Sequence, residues 1–365
     1  MARRDPMKLK TTNVPLELYD FARKWLTLLS LAIMLVLFLI NAPFGRFAGN
    51  NHKRGRHPVG LFNSSWFLVD GIRSWIVMEM VAPLTFIYAL FKSPLSFYKV
   101  PLPDAFSPQG VLIILFLIHY LNRALINPLR TPSRSTSHII VPLAGIIFNL
   151  ANGYIMGSYL SSPYGRIYLG GQYAFDRTSF RVGVLLWVVG FVGNVAHDEI
   201  LLQLRKRAAE RKAKDEKEAE DDDSKNKDKQ GTVAKKAAAG EYYGIPSGLL
   251  YEFISYPNYF CEWIEWTGFA LAAAPFPIPI DATSVSTFQS SILSALRTIV
   301  SPWTWKNALV TPPYAFAPTL PPPWVFVLAE IALMLPRAYK GHVWYKERFG
   351  ERYPKGRKAV IPFVF

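Results

Sequence analysis

Long apolar runs separated by short charged blocks are the feature that most restricts how this chain can fold. The clearest run, Trp25 to Phe44, contains no charged residue. Because about 20 apolar residues in helix cross a hydrocarbon core about 30 Å thick, such a run predicts a membrane span. The further candidates are Trp75–Phe91, Gly110–Leu129, His138–Leu160, Phe180–Leu204, Gly248–Phe276 and Pro323–Tyr339. The pattern predicts an all-α, multi-pass membrane protein with about seven transmembrane helices in one bundle.

Composition supports this class. Apolar residues make up 51% of the 365 residues, charged residues only 18%, and the formal net charge is +15. The basic residues gather in short blocks between the apolar runs, which is typical of a membrane protein and not of a nucleic-acid binder. The single cysteine, Cys261, excludes an intrachain disulfide and a cysteine-based metal cluster. The six histidines are scattered, without the H-E-x-x-H pattern, so no metal site is predicted.

Charge patterning divides the chain into four segments. They are an N-terminal tail (1–24), the first five helices (25–204), a charged loop (205–241) and the last two helices with the C-terminal tail (242–365). The loop is dense in both signs of charge and lacks aromatic residues, so we expect it to be solvated and disordered. Because basic loops favour the cytosol, this loop and the basic tail predict a cytosolic C-terminus and a lumenal N-terminus. Basic residues near the N-terminus, including Arg23 and Lys24, argue the other way.

Ionisable side chains inside the predicted spans are candidate functional groups, because burying them in lipid is costly. Glu79 lies in the run SWIVMEMVAP, with Trp75 one helical turn before it. Tyr120 and Arg123 are three residues apart and share a helical face. A phenol oriented by a neighbouring charge can donate a proton. A carboxylate that only joins helices and a tyrosine that only anchors the chain at the interface are the structural alternatives.

Three further polar groups lie near or within the last spans. They are Asn194, Asp198 and Arg205 at helical offsets of four and seven, Asn258, Glu262 and Glu265 at offsets of four and three, and Arg337, Lys340, His342 and Tyr345 after the final span. The first group could bind ribose hydroxyls and phosphate, or form an intrahelical polar seam. The second lies among aromatic rings and suggests a pocket for a planar, hydrogen-bonding group. The third could meet a cytosolic anion, or flank the membrane as basic residues commonly do.

Several common enzyme motifs are missing from the sequence. No G-x-G-x-x-G pattern, no G-x-x-x-x-G-K-[ST] pattern and no G-x-S-x-G elbow occurs. A Rossmann domain, a P-loop and an α/β-hydrolase nucleophile are therefore excluded. We find no internal repeat, which disfavours a transporter built from inverted repeats.

Several of these segments together are similar to one enzyme family. They are GIPSGLLYEFISYPNYFCEWIEWTGFALA, PRAYKGHVWYKERFGERYPKGRKAVIPFVF, GNVAHDEILLQLRK, HYLNR and WIVMEM. The similarity covers about two thirds of the chain. The chain resembles the membrane steroid 5α-reductases (3-oxo-5α-steroid 4-dehydrogenases), whose relatives include polyprenol reductase and very-long-chain enoyl-CoA reductase. The resemblance implies an endoplasmic reticulum membrane enzyme that uses NADPH to reduce the Δ4 double bond of a 3-oxosteroid or related enone lipid. It implies a substrate taken from the membrane and no obligate protein partner.

The resemblance also implies roles for individual residues. Tyr120 and Glu79 match the pair that approaches the substrate carbonyl, and in this interpretation Glu79 holds the tyrosine proton. The matching NADPH contacts are Trp75, Arg123, Asn194, Asp198, Arg205, Tyr243, Asn258, Glu262, Arg337 and Tyr345. Arg134 is a weaker match. Residues 25–204 would then carry the catalytic residues, and 242–365 would contribute the NADPH-binding C-terminal region.

The chain also departs from the pattern of the steroid reductases. Met78 stands where they carry a glutamine, which removes one hydrogen bond to a steroid and leaves a polyprenol-type lipid or an enoyl thioester as alternative substrates. Two insertions, the charged loop and the segment 274–322, look like peripheral additions. The C-terminal third also resembles membrane methyltransferases that use S-adenosylmethionine, which would not need Glu79 or Tyr120. A sterol-binding or scaffold protein without catalysis is a third alternative.

Overall fold

The computed structural model describes residues 14–40, 67–98, 100–132, 134, 136–225, 244–278 and 285–365. The α-helices are α1 (Val14–Leu39), α2 (Gly71–Lys92), α3 (Pro108–Tyr120), α4 (Asn127–Arg130), α5 (Ile140–Ser161), α6 (Pro163–Tyr168), α7 (Gly171–Asp176), α8 (Thr178–Lys225), α9 (Pro257–Ala273), α10 (Val285–Val300), α11 (Pro302–Val310) and α12 (Pro322–Phe349). A π-helix, Leu121–Ile126, joins α3 to α4, and short 3₁₀ turns cover Leu249–Glu252, Pro313–Ala315 and Gly350–Arg352. Strands β1 (Leu68–Val69) and β2 (Ser137–His138) pair antiparallel.

The prediction of an all-α membrane protein is confirmed. Among the described residues, five helices are long and apolar enough to cross a membrane: α1, α2, α3 continued to Arg130, α5, and the part of α8 that ends at Arg211. Helices α9 and α12 correspond to the other two predicted spans. At 17 residues α9 is short for a span, and α12 carries several charges, so the count of seven stays a prediction.

Several helices begin at residues that commonly cap or start a helix. Asp70 caps α2, because its Oδ1 accepts hydrogen bonds from the backbone of Ile72 and Arg73. Ser107 caps α3 in the same way, with Pro108 at the first helical position. Pro257 likewise begins α9.

Glycines allow two helix pairs to approach closely. A Cβ atom added at Gly153 of α5 would overlap the backbone oxygen of Ala82 in α2, and one at Gly157 would crowd Phe86. A Cβ at Gly190 of α8 would overlap the backbone of Glu265 in α9. Small residues commonly permit such contact between membrane helices. The close packing brings the polar faces of α2, α5, α8 and α9 to the centre of the bundle.

Two boundaries differ from the prediction. Helix α1 starts at Val14, so residues 14–24 belong to a helix and not to a tail. Helix α8 continues to Lys225, so residues 205–225 of the expected loop are helical. No glycine or proline interrupts this stretch, and its Ala, Glu, Lys and Arg residues are strong helix formers. Residues 226–241 lie outside the described residues.

Candidate active site

Tyr120 ends α3, and the π-helix begins directly after it. In this wider turn the backbone oxygen of Arg123 accepts a hydrogen bond of 3.2 Å from the indole Nε1 of Trp75. Short π segments inside α-helices are frequent at functional sites. Here the segment ties α2 to α3 at the level of the candidate residues.

The Tyr120 side chain is only 3% exposed and lies among aromatic rings. Its hydroxyl oxygen accepts a hydrogen bond of 3.2 Å from Nδ2 of Asn152 on α5. Within the described part of the chain, no hydrogen bond joins Tyr120 to Glu79, although the resemblance implied one. Asn152 is therefore the hydrogen-bond partner of the Tyr120 hydroxyl, the role that the resemblance gave to Glu79.

Glu79 instead pairs with Arg123. Its Oε1 lies 3.4 Å from Nε of Arg123, whose Nη1 lies 3.2 Å from the carboxylate of Glu262. Both carboxylates are at least nine-tenths buried, while the Arg123 side chain keeps 24% exposure. One guanidinium thus joins α2 to α9 across the centre of the bundle. Burial makes such a pair specific in geometry, because either partner alone would leave an uncompensated charge.

The amides predicted on α8 and α9 continue this network. Nδ2 of Asn194 donates at 3.2 Å both to Glu262 and to the backbone oxygen of Asn258. The side chain of Asn258 donates to Asp198 at 3.0 Å, and Asn127 donates to the other oxygen of Asp198 at 2.8 Å. Oδ1 of Asn258 is buried without a partner. The two stripes read from the sequence therefore face each other and form one polar surface.

Two guanidinium groups lie close to the ring of Trp75. The ring centre is 3.8 Å from Cζ of Arg134 and 5.1 Å from Cζ of Arg123. Burial, together with the positive charges of Arg205 and Arg123, lowers the pKa of Arg134 to about 10. Clustered guanidiniums that disfavour one another are a suitable environment for phosphate groups.

Of the remaining four predicted residues, three lie within the described part of the chain and the fourth lies outside it. Arg205 is exposed on α8, seven residues beyond Asp198 in the direction of the charged extension. Arg337 lies over the ring of Tyr259 at 5.7 Å, and Tyr345 stacks on Tyr353 with ring centres 5.5 Å apart. Tyr243 lies outside the described residues.

The structure adds groups that the sequence did not identify. His119 precedes Tyr120, and its Nδ1 lies 2.7 Å from the carboxylate of Glu265. Asn152 and Asn127 also belong to the network, yet neither lies in a recognisable motif. A signal existed for all three, since His119, Asn127 and Asn152 are polar residues within predicted spans.

Met78, the departure from the family pattern, is buried against α5. A Cβ atom at Gly145 would touch its Sδ, and Nδ2 of Asn149 donates to its backbone oxygen at 2.7 Å. The thioether therefore fills space between helices.

Comparison with known proteins gives the family. The model of the family described as 3-oxo-5-alpha-steroid 4-dehydrogenase matches residues 135–214, 226–295 and 312–365, which are more than half of the chain. This chain belongs to that family. The 3-oxo-5-alpha-steroid 4-dehydrogenase family consists of oxidoreductases that act on a CH–CH group, which agrees with a polar site enclosed by apolar helices.

Individual relatives extend over almost the whole chain. An uncharacterized protein of Schizosaccharomyces pombe, C9.08c, is 32% identical over 95% of this chain and 99% of its own length. A steroid 5-alpha-reductase DET2 of Gossypium hirsutum is 28% identical over 95% of this chain and 98% of its own. The 3-oxo-5-alpha-steroid 4-dehydrogenase 1 of Rattus norvegicus is 28% identical over 84% and 86%. The relatives named as a steroid reductase or dehydrogenase thus align with most of this chain.

The residues of the site fit a nicotinamide nucleotide, the cofactor that this family generally uses. Asn194, Asn258 and Asp198 offer amide and carboxylate groups suited to hydroxyls, and Oδ1 of Asn258 lacks a partner. Arg134 and Arg123 flank an indole ring, which suits phosphates beside a planar group.

Proposed function

We propose that this protein uses NADPH to reduce the Δ4 carbon–carbon double bond of a 3-oxosteroid or a related enone lipid. The substrate enters from the bilayer, and the enzyme resides in the endoplasmic reticulum membrane with a cytosolic C-terminus. Family membership supports the reaction class, and the apolar surroundings of Tyr120 support an apolar substrate.

One observation carries the proposal. The Tyr120 oxygen accepts a hydrogen bond from Asn152, so its own O–H is free to donate. A free phenolic proton among buried aromatic rings is the donor that an enone carbonyl needs, because negative charge develops on that oxygen during reduction. In a medium of low dielectric constant, such a hydrogen bond is much stronger than in water.

The remaining residues hold this donor in position. Asn152 fixes the rotation of the hydroxyl, and the Glu79–Arg123 pair sets the electrostatic field beside it. When NADPH is bound, it supplies the hydride to the β carbon of the enone. We assign its binding to the polar surface of Asn194, Asp198, Asn258 and Glu262, to the guanidiniums beside Trp75, and, from the resemblance, to Arg205, Tyr243, Arg337 and Tyr345.

The alternatives differ in cofactor or substrate. Reduction of a polyprenol-type lipid or an enoyl thioester would use the same site, and Met78 leaves these substrates open, since a thioether cannot donate to a steroid carbonyl. Methyl transfer from S-adenosylmethionine would leave the buried Tyr120–Asn152 and Glu79–Arg123 contacts without a purpose.

The direct test is Tyr120→Phe in the full-length protein in lipid nanodiscs. Wild-type protein should oxidise NADPH when a 3-oxo-Δ4 steroid is added and yield the saturated ketone, detected by mass spectrometry. Tyr120→Phe should reduce this rate about 10²–10³-fold, the usual cost of one lost oxyanion donor.

Tyr159→Phe is the matched control. Tyr159 is equally buried, but its hydroxyl donates to the backbone oxygen of Ala273 and lies outside the site network. This variant should keep its activity. Transfer of a methyl group without oxidation of NADPH would contradict the proposal.

A further inference from the structure

A buried acid lies behind the proposed site, in contact with a histidine. Oε1 of Glu265 lies 2.7 Å from Nδ1 of His119, and the glutamate is fully buried. Its other oxygen, Oε2, is buried without any hydrogen-bond partner. The rings of Trp266 and Tyr120 lie 4.6 Å and 5.2 Å from the His119 ring, centre to centre, and shield the pair from water.

The charges around this pair do not balance if every acid is ionised. The charged groups around it are Glu79 from α2, Arg123 from the π-helix, Asp198 from α8, Glu262 from α9, and Glu330 and Arg337 from α12, with Arg134 acting on Glu79 and Asp198. Arg123 already pairs with two of the three buried glutamates here, Glu79 and Glu262, which leaves Glu265 with His119. A further bare anionic oxygen in a dry bundle would destabilise the folded state. The surplus of buried acids therefore calls for a bound proton.

We propose that Glu265 holds this proton and that the His119–Glu265 pair is the proton reservoir of the site. The protonated Oε1 donates to Nδ1 of His119, and the neutral imidazole then presents Nε2–H to Glu262. Nε2 lies 3.9 Å from Oε1 of Glu262, so the ring faces both acids. Neither His119 nor Glu265 is placed on the substrate, and both act through Glu262.

The role of the reservoir follows from the proposed function, on which this inference rests. Reduction of an enone takes up a hydride at the β carbon and a proton at the α carbon, while the C=C π bond is lost. A bound reduced nicotinamide nucleotide would supply the hydride with its electron pair. The pair supplies the proton through Glu262 and recovers one from water, so that each turnover consumes one proton from solution.

The test compares wild type with Glu265→Gln, which keeps the shape and removes the ionisable group. Infrared spectra of the two proteins are recorded without substrate and subtracted. The carbonyl band of a protonated carboxyl group should be present in wild type and absent from Glu265→Gln. Its rate of enone reduction should fall about 10²-fold, in the range of general acid catalysis. As pH rises, the Glu265→Gln rate should also drop about tenfold per pH unit, since its protons must come from solution. The wild-type rate should not change over the same pH range.

Glu199→Gln is the control, because Glu199 pairs with Arg130 near the surface of α8 and lies outside the pair. It should keep the band and the level profile. If Glu265→Gln does not fold, His119→Gln replaces it and should alter the frequency of the wild-type band. A wild-type protein without the band, or a Glu265→Gln protein with a level pH profile, would overturn the reservoir. Presence of the band in a protein that reduces no enone would overturn only the proposed function.

Discussion

At the residue scale, the site depends on which group controls the Tyr120 proton. The resemblance assigned this role to Glu79, but the carboxylate of Glu79 pairs with Arg123. Asn152 contacts the hydroxyl instead, and it donates, so the tyrosine proton is left for another acceptor. The direction of a single hydrogen bond therefore decides whether Tyr120 can act as an acid.

Asn152 provides a test of that direction. Asn152→Ala should lower the rate of enone reduction by up to about tenfold, because one hydrogen bond is worth about 0.5–1.5 kcal/mol. Asn152→Asp should cost more, since a carboxylate accepts the phenolic proton and withdraws it from the substrate. The two rates, measured at saturating NADPH, give the comparison. An Asn152→Asp protein as active as wild type would show that the hydroxyl does not donate.

At the element scale, close helix approach positions the site. Gly153 lets α5 lie directly against α2, which brings Asn152 to Tyr120 and Asn149 to the backbone of Met78. The sequence predicted the helices themselves, because the length and apolar character of a span are local properties. The π-helix after Tyr120 was not predicted, since no local signal in LNRALI distinguishes it from an α-helix.

Substitution of Gly153 by alanine should therefore disturb this contact. The added Cβ overlaps the Ala82 oxygen, and over-packing of this kind costs about 1–3 kcal/mol. We expect a thermal unfolding midpoint several degrees below wild type in nanodiscs. Gly356→Ala is the matched control, because a Cβ there meets nothing within 4 Å. Equal midpoints for the two variants would refute the close-contact interpretation.

At the scale of the whole molecule, the basic residues near the N-terminus have a structural explanation. Arg23 donates to the backbone oxygens of Phe316, Ala317 and Leu320, and Lys24 donates to those of Leu309 and Thr311. Both side chains are at least nine-tenths buried. They hold the segment before α12 against α1, at the end of the bundle opposite the charged extension of α8. Their charge therefore need not mark the cytosolic side.

This arrangement predicts that residues 309–321 and the C-terminal tail lie on opposite sides of the membrane. Cysteines at Thr319 and Lys355 test it, because both positions are exposed and the native Cys261 is buried. In sealed microsomes, a membrane-impermeant maleimide should label Lys355→Cys directly and Thr319→Cys only after detergent is added. Wild type serves as the unlabelled control. Equal labelling of both variants in intact vesicles would contradict the proposed topology.

The sequence by itself determined the class of this protein and the local geometry of its polar stripes. Apolar length dictates a span, and residues three or four apart on a helix share a face, so Asn194 with Asp198 and Asn258 with Glu262 were predictable. Only the tertiary structure decided which stripes meet. The contacts of Tyr120 with Asn152, Arg123 with Glu262 and His119 with Glu265 join residues 32, 139 and 146 positions apart. Such pairings depend on how whole helices pack, and helical periodicity carries no information about the neighbour across the interface.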